Sequence, residues 1–224
     1  MERMNFKRLL LLSLTFTFFN LTNAQESKIK DSNFGIKLGA NSSNLSGEST
    51  KDDDGRETDV KSRIGFYVGG FYHHELSDKL SVQPELLFSY QGARIDIKRW
   101  EGVPVTAGSD IDLPYILLPV ILQYEIFDKF HLELGPQLGY NLGKFITIKG
   151  KVVLNGETFM LEDRLEDVAR WDFSLLAGAG YSFNEKITAK FRFAQGLNSL
   201  DQRARDAFTL YNQVFSLGVE YNFK

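Results

Sequence analysis

Cysteine is absent from this 224-residue chain, which excludes a disulfide framework and every cysteine-based zinc pattern. Histidine is scarce: the chain has three, His73, His74 and His131. Basic excess is missing too. The formal charge is −3, so the composition points to no nucleic-acid partner. Past the N-terminal segment no apolar run reaches the roughly 20 residues that a membrane helix needs. No G-x-S-x-G, P-loop or H-E-x-x-H occurs, and no cofactor is expected. One membrane class survives these absences, because the strands of a β-barrel carry their apolar residues at every second position and never as a run.

The first residues read as a secretory leader. Arg3, Lys7 and Arg8 form a basic start, and Leu9 to Phe19 is almost wholly apolar. Thr22-Asn23-Ala24 then offers small residues where a signal peptidase needs them. Residues 1–24 are therefore expected to be a signal peptide, cleaved before Gln25, with residues 25–224 forming one barrel domain. The leader sets three cations against Glu2, so the remainder carries −5.

Eight stretches alternate apolar and polar residues: 34–44, 63–75, 80–97, 113–126, 130–148, 171–183, 186–197 and 208–223. In the third, Leu80, Val82, Pro84, Leu86, Phe88 and Tyr90 face one way, and Ser81, Gln83, Glu85, Ser89 and Gln91 the other. This is the period of a strand, not of a helix. The links alternate as well. Short ones at 76–79, 127–129 and 184–185 carry Ser-Asp-Lys, Asp-Lys and Asn-Glu turn chemistry. Long polar ones cover 46–62, 98–112, 149–170 and 198–207. Together these predict an all-β fold, an eight-stranded antiparallel up-and-down transmembrane β-barrel with short periplasmic turns and long external loops. Pro84, Pro119 and Pro136 fall inside strands and are expected at bulges or strand ends.

Side-chain size decides which face is outside. The polar face is crowded with small residues, among them Gly35, Gly39, Gly65, Gly69, Gly135, Gly139, Gly178, Gly180, Gly218, Ser89, Ser174 and Ser182. The apolar face is Leu, Phe, Tyr, Val and Trp. An eight-stranded barrel is only just wide enough for side chains, so the bulky set points outward, to lipid. Tyr72, Tyr90, Tyr124, Trp171, Phe183 and Tyr211 are candidates for the interfacial girdles. The interior then holds Lys37, Glu85, Glu125, Glu133, Asp172, Lys190, Arg192 and Glu220. Isolated charges there are costly, so Glu85, Glu125, Glu133 and Glu220 are expected to pair with Lys37, Lys190 and Arg192. Inward Tyr67, Phe71, Leu87, Leu117 and Leu176 narrow the lumen and argue against a porin.

Gly35-Ile36-Lys37-Leu38-Gly39-Ala40-Asn41-Ser42-Ser43-Asn44-Leu45-Ser46-Gly47 resembles the first strand of the PorT-like outer-membrane β-barrel family of Bacteroidetes. Leu80 to Ser89 and Leu134-Gly135-Pro136-Gln137-Leu138-Gly139-Tyr140 resemble it too, as does Gln25 after Asn23-Ala24. The resemblance implies a Gram-negative outer-membrane location. Its founding member is linked to type IX secretion, while most relatives have no assigned role. The last strand, with alternate aromatics to Phe223, looks like an outer-membrane recognition signal, although Lys224 follows it.

Chemistry is sparse. The three histidines fall beside short turns, and His73 and His74, adjacent in a strand, point to opposite faces, so no catalytic or metal site is expected. Asp52, Asp53, Asp54, Glu57 and Asp59 make an acidic loop that lacks the EF-hand order. Residues 149–160 carry an Asn155-Gly156 turn between apolar runs and are expected to extend strands five and six as an external hairpin. The resulting expectation is a non-enzymatic, monomeric outer-membrane barrel with a plugged lumen. It contacts lipid and binds or assists an envelope or secretion-machinery protein through its loops. A soluble carrier of a lipophilic ligand and a lipid-modifying barrel enzyme are the alternatives.

Overall fold

The computed structural model describes residues 32–46, 57–100, 103–143, 146–154, 157–165, 169–199 and 211–223. The leader, residues 52–54 of the acidic loop, the Asn155-Gly156 turn, Phe208 and Lys224 lie outside them. Among the described residues ten strands form: β1 (Ser32–Ser46), β2 (Glu57–Glu75), β3 (Leu80–Trp100), β4 (Val103–Phe127), β5 (Phe130–Asn141), β6 (Ile146–Leu154), β7 (Glu157–Leu165), β8 (Trp171–Ser182), β9 (Ile187–Gly196) and β10 (Tyr211–Asn222). Eight close a barrel in the order β1-β10-β9-β8-β5-β4-β3-β2. Every neighbouring pair is antiparallel, and closure runs from Gly35↔Asn222 to Ser46↔Tyr211.

Alternation sorts the side chains as their size demands. Leu86, Phe173, Leu175, Phe215 and Leu217 are exposed on the outer face, while Glu85, Leu87, Ser174 and Leu176 beside them in sequence are buried. Aromatic pairs ring both ends of the apolar band. At the short-turn end, Phe34 meets Tyr72 at 4.8 Å between ring centroids and Tyr181 meets Phe183 at 5.3 Å. At the far end, Tyr140 meets Trp171 at 4.9 Å and Phe66 stacks on Tyr90 at 6.0 Å. Such amphipathic rings belong at the headgroup level of a bilayer.

Inside, glycines admit large neighbours. A Cβ on Gly39 would stand 2.3 Å from the Leu217 carbonyl oxygen and 2.7 Å from the Tyr67 ring. One on Gly218, the register partner of Gly39, would stand 2.1 Å from the Tyr67 hydroxyl. The Tyr67 ring therefore lies across two backbones that only glycine leaves bare.

The tight turns follow their sequence. Asn184 Oδ1 accepts the amides of Lys186 and Ile187, each at 2.9 Å. Lys129 takes φ +73° to close the turn between Phe127 and Phe130.

Three expectations need correction. First, the prolines cause no bulge. Pro84 pairs with Val120, Pro119 with Gln137 and Pro136 with Leu175, and the register is the same on both sides of each. A strand residue's N–H serves one neighbour only, so each proline interrupts the ladder on a single flank. Second, the fifth barrel strand stops at Asn141, whose side chain accepts the Gly143 amide at 2.8 Å in an Asx turn. The β6–β7 hairpin forms a separate two-stranded sheet beside β4 instead of prolonging the barrel. Third, residues 98–100 and 103–112 are strand, not loop. β3 and β4 stay paired to Trp100↔Val103, and β2 stays paired to β3 from Glu57. The polar composition that reads as loop is that of strand lying beyond the apolar band.

Candidate functional site

Six buried charged residues meet in the lumen. Lys37 lies 3.0 Å from Glu85 and 2.9 Å from Glu220, its register partner across the closing pair of strands. Lys190 lies 2.5 Å from Glu133 and 3.3 Å from Glu220. Arg192 donates from Nε to Glu133 at 2.5 Å and from both Nη atoms to Glu85 at 2.8 Å. Three cations face three carboxylates, so the cluster is formally neutral. Gln83 donates to Glu85 at 2.8 Å and Glu220 at 2.9 Å, and Gln123 donates to Glu133 at 3.0 Å. These amides use lone pairs that the cations leave over, and such completion is what makes a buried ionic cluster tolerable.

On the external side of the ions the lumen turns apolar. Tyr67, Leu87, Leu117, Leu176, Ala194 and Val214 are buried there and leave a void of about 30 Å³. A polar layer follows, in which Asn212 bridges Gln91 at 2.8 Å and Asp172 at 3.0 Å. Ions, apolar plug and amide layer together fill the described interior.

Two features lie at the ends. At the short-turn end a cavity of about 380 Å³ opens outward, with Gln83, Gln123, Lys190 and Glu220 at its base and His73 and His131 on its walls. His131 Nε2 is 2.6 Å from Lys190 Nζ. At the opposite end, β2, β3 and β4 continue past the aromatic girdle as a three-stranded wall. Counted from Tyr90 to Trp100, that is on the order of 30 Å of strand. Arg63 ties its base together: it donates to the Ile111 carbonyl at 3.0 Å, contacts Asp112, and lies over the Tyr90 ring at 5.5 Å.

The structure brings together Lys37, Glu85, Glu133, Lys190, Arg192 and Glu220 of the eight interior charges read from the sequence. It leaves two apart. Glu125 is exposed on the cavity rim: it keeps the barrel register opposite His131, but at the level where the lumen opens beside the β4–β5 turn. Asp172 is buried but accepts hydrogen bonds from Ser174 and Asn212, each at 3.0 Å. Arg192 pairs with Gly178 on the same strand, six positions from Asp172 and far down the lumen. Sequence reasoning missed the bridging role of Gln83 and Gln123. Their signal was inward parity: Gln83 stands two residues before Glu85, and Gln123 directly opposite Glu133. Arg63 and Asp112 were missed as well, since their contact depends on β3 lying between their strands. Of the histidines, His73 and His131 line the cavity, and His74 stacks on Tyr72 at 6.2 Å. Among the described residues no group of three or more His, Asp or Glu side chains is placed to hold a metal.

A family model described as outer membrane protein beta-barrel domain matches residues 23–202. No curated protein matches the chain. Solved structures do. Neisserial surface protein A is 15% identical, with 87% of this chain and 100% of that chain covered and a TM-score of 0.46. OprG from Pseudomonas aeruginosa is 15% identical over 87% and 97%, with a TM-score of 0.45. Ail, the attachment invasion locus protein of Yersinia pestis, is 16% identical over 87% and 100%, with a TM-score of 0.43.

Proposed function

The chain belongs to the outer membrane protein beta-barrel domain family and resides in the outer membrane, and from that premise we propose that it is a non-enzymatic, channel-less binding protein. It acts as a monomer in lipid after removal of residues 1–24. Its external wall engages another envelope component. Within the family, the residues that resemble the PorT-like proteins, 35–47, 80–89 and 134–140, make a component of the secretion machinery the favoured partner class.

The observation that carries this reading is the wall itself. Strands β2, β3 and β4 stay paired for roughly ten residues beyond the girdle, whereas β5 gives way to an Asx turn at Asn141 and β9 ends at Gly196. A barrel that only spans the bilayer has no use for such an extension. A filled lumen supports the same reading, because it leaves the outer surface as the working part.

Photo-crosslinking in the producing cell tests it. A photoreactive residue in place of Asp112, at the base of the wall, should yield a discrete crosslink to one envelope protein. The same group at Leu217, on the lipid face, should not. Replacing 95–108 by a two-residue turn should abolish the crosslink and leave a folded barrel. Loss of the wall without loss of the partner or of the envelope phenotype would overturn the proposal.

A further inference from the structure

The cavity at the short-turn end plays no part in an external binding role. Its volume of about 380 Å³ admits a long side chain with its backbone and excludes a folded domain. Glu75, Asp78, Glu125 and Glu185 line its mouth against one cation, Lys79. They come from the end of β2, the β2–β3 turn, the end of β4 and the β8–β9 turn; Lys129 and Lys186 stand on the same turns outside the lining, so the excess of negative charge belongs to the lining itself.

The base of the cavity sorts ligands by sign as well. Its cation, Lys190, is already engaged by Glu133 at 2.5 Å and Glu220 at 3.3 Å. An entering anion meets an acidic rim and then a lysine committed to two carboxylates. An entering cation meets the rim carboxylates first and, below them, the hydroxyl oxygens of Ser182 and Thr188, while the oxygens of Gln83 and Gln123 already accept from Gln123 and Ser81. A low-dielectric wall around such an opening focuses its field on the approach. Short turns of an outer-membrane barrel face the periplasm.

We propose that this cavity is a periplasm-facing socket for a lysine or arginine side chain, presented on an extended segment of another envelope protein. Charge, size and placement each contribute to that assignment. It does not depend on the external wall, which stands at the other end of the barrel.

Fluorescence anisotropy on the full barrel folded in detergent tests it, with a fluorescein-labelled Gly-Lys-Arg-Lys-Gly peptide as probe. Saturable binding that weakens with salt is expected, and none for Gly-Glu-Asp-Glu-Gly. Glu125→Gln combined with Glu185→Gln should weaken binding at least about tenfold. Asp128→Asn removes an acid from the same face but outside the cavity lining, and should change affinity by less than about twofold. Ser182→Trp fills the mouth and should abolish binding while heat-modifiable migration shows the barrel intact. The socket is refuted by any of four results: no saturable binding to the unaltered barrel, equal affinity for the acidic peptide, equal weakening by Asp128→Asn, or undiminished binding by the rim double variant.

Discussion

Arg192 on β9 grips both carboxylate oxygens of Glu85 on β3, each at 2.8 Å. These strands stand four places apart whichever way the ring is counted, so the pair spans the full width of the barrel. One fork–fork contact thus ties opposite walls together, and it blocks the lumen at that level.

Arg192→Met should cost about 3–5 kcal/mol, because it leaves three buried carboxylates facing two lysines. Adding Glu85→Gln restores the balance, since Lys37 keeps Glu220 and Lys190 keeps Glu133. The double variant should therefore recover much of the loss. Urea unfolding in phospholipid vesicles checks both.

Leu86 and Leu87 are neighbours with opposite fates, the first exposed on the lipid face and the second buried in the lumen. Leu86→Arg, near the middle of the apolar band, should destabilise by about 2–4 kcal/mol. Tyr124→Arg, near the girdle, should cost about 1 kcal/mol or less. Equal costs in a vesicle-based titration would mean that the outer face does not meet hydrocarbon.

Gly39→Ala should lose about 1–3 kcal/mol by overpacking against the Leu217 carbonyl and the Tyr67 ring. Gly70→Ala is the control. Its Cβ would meet only the Gly35 carbonyl oxygen, at 3.6 Å, and stability should stay within about 0.5 kcal/mol. The same unfolding titration measures both.

Planar-bilayer recording should find no steady conductance in the unaltered protein. Arg192→Ala alone should not create one, because the Tyr67, Leu87, Leu117 and Leu176 layer still closes the lumen on the external side. Large, stable openings from the unaltered barrel would contradict the filled interior.

The barrel was legible because its two rules are local. Parity assigns each residue a face, and side-chain size says which face is cramped, so Leu86 and Glu85 could be placed with no knowledge of their neighbours. Pairing is not local. That Arg192 meets Glu85 while Asp172 meets Asn212 follows from ring order and from depth along the strands, and neither is written near those residues. Glu125 has the parity of Gln123 and keeps its register opposite His131, but it sits two residues nearer the turn, where the lumen opens. The length of β3 and β4 was hidden for a different reason: Lys98, Arg99, Glu101, Gly102, Pro104 and Gly108 give the segment the composition of a loop although Ile95, Ile97, Val103 and Val105 keep the alternation. The prolines misled because each affects one flank of its strand, where a bulge was expected.

Lys37 and Glu220 stand opposite each other on the first and last barrel strands, where the ring shuts. A sheet still unzipped along that line would part this ion pair, leaving Lys37 with Glu85 and Glu220 with Lys190, and would set two open rows of backbone amides and carbonyls beside hydrocarbon. A half-closed barrel is therefore penalised chiefly through its unpaired backbone, with the parted Lys37–Glu220 contact adding to the cost.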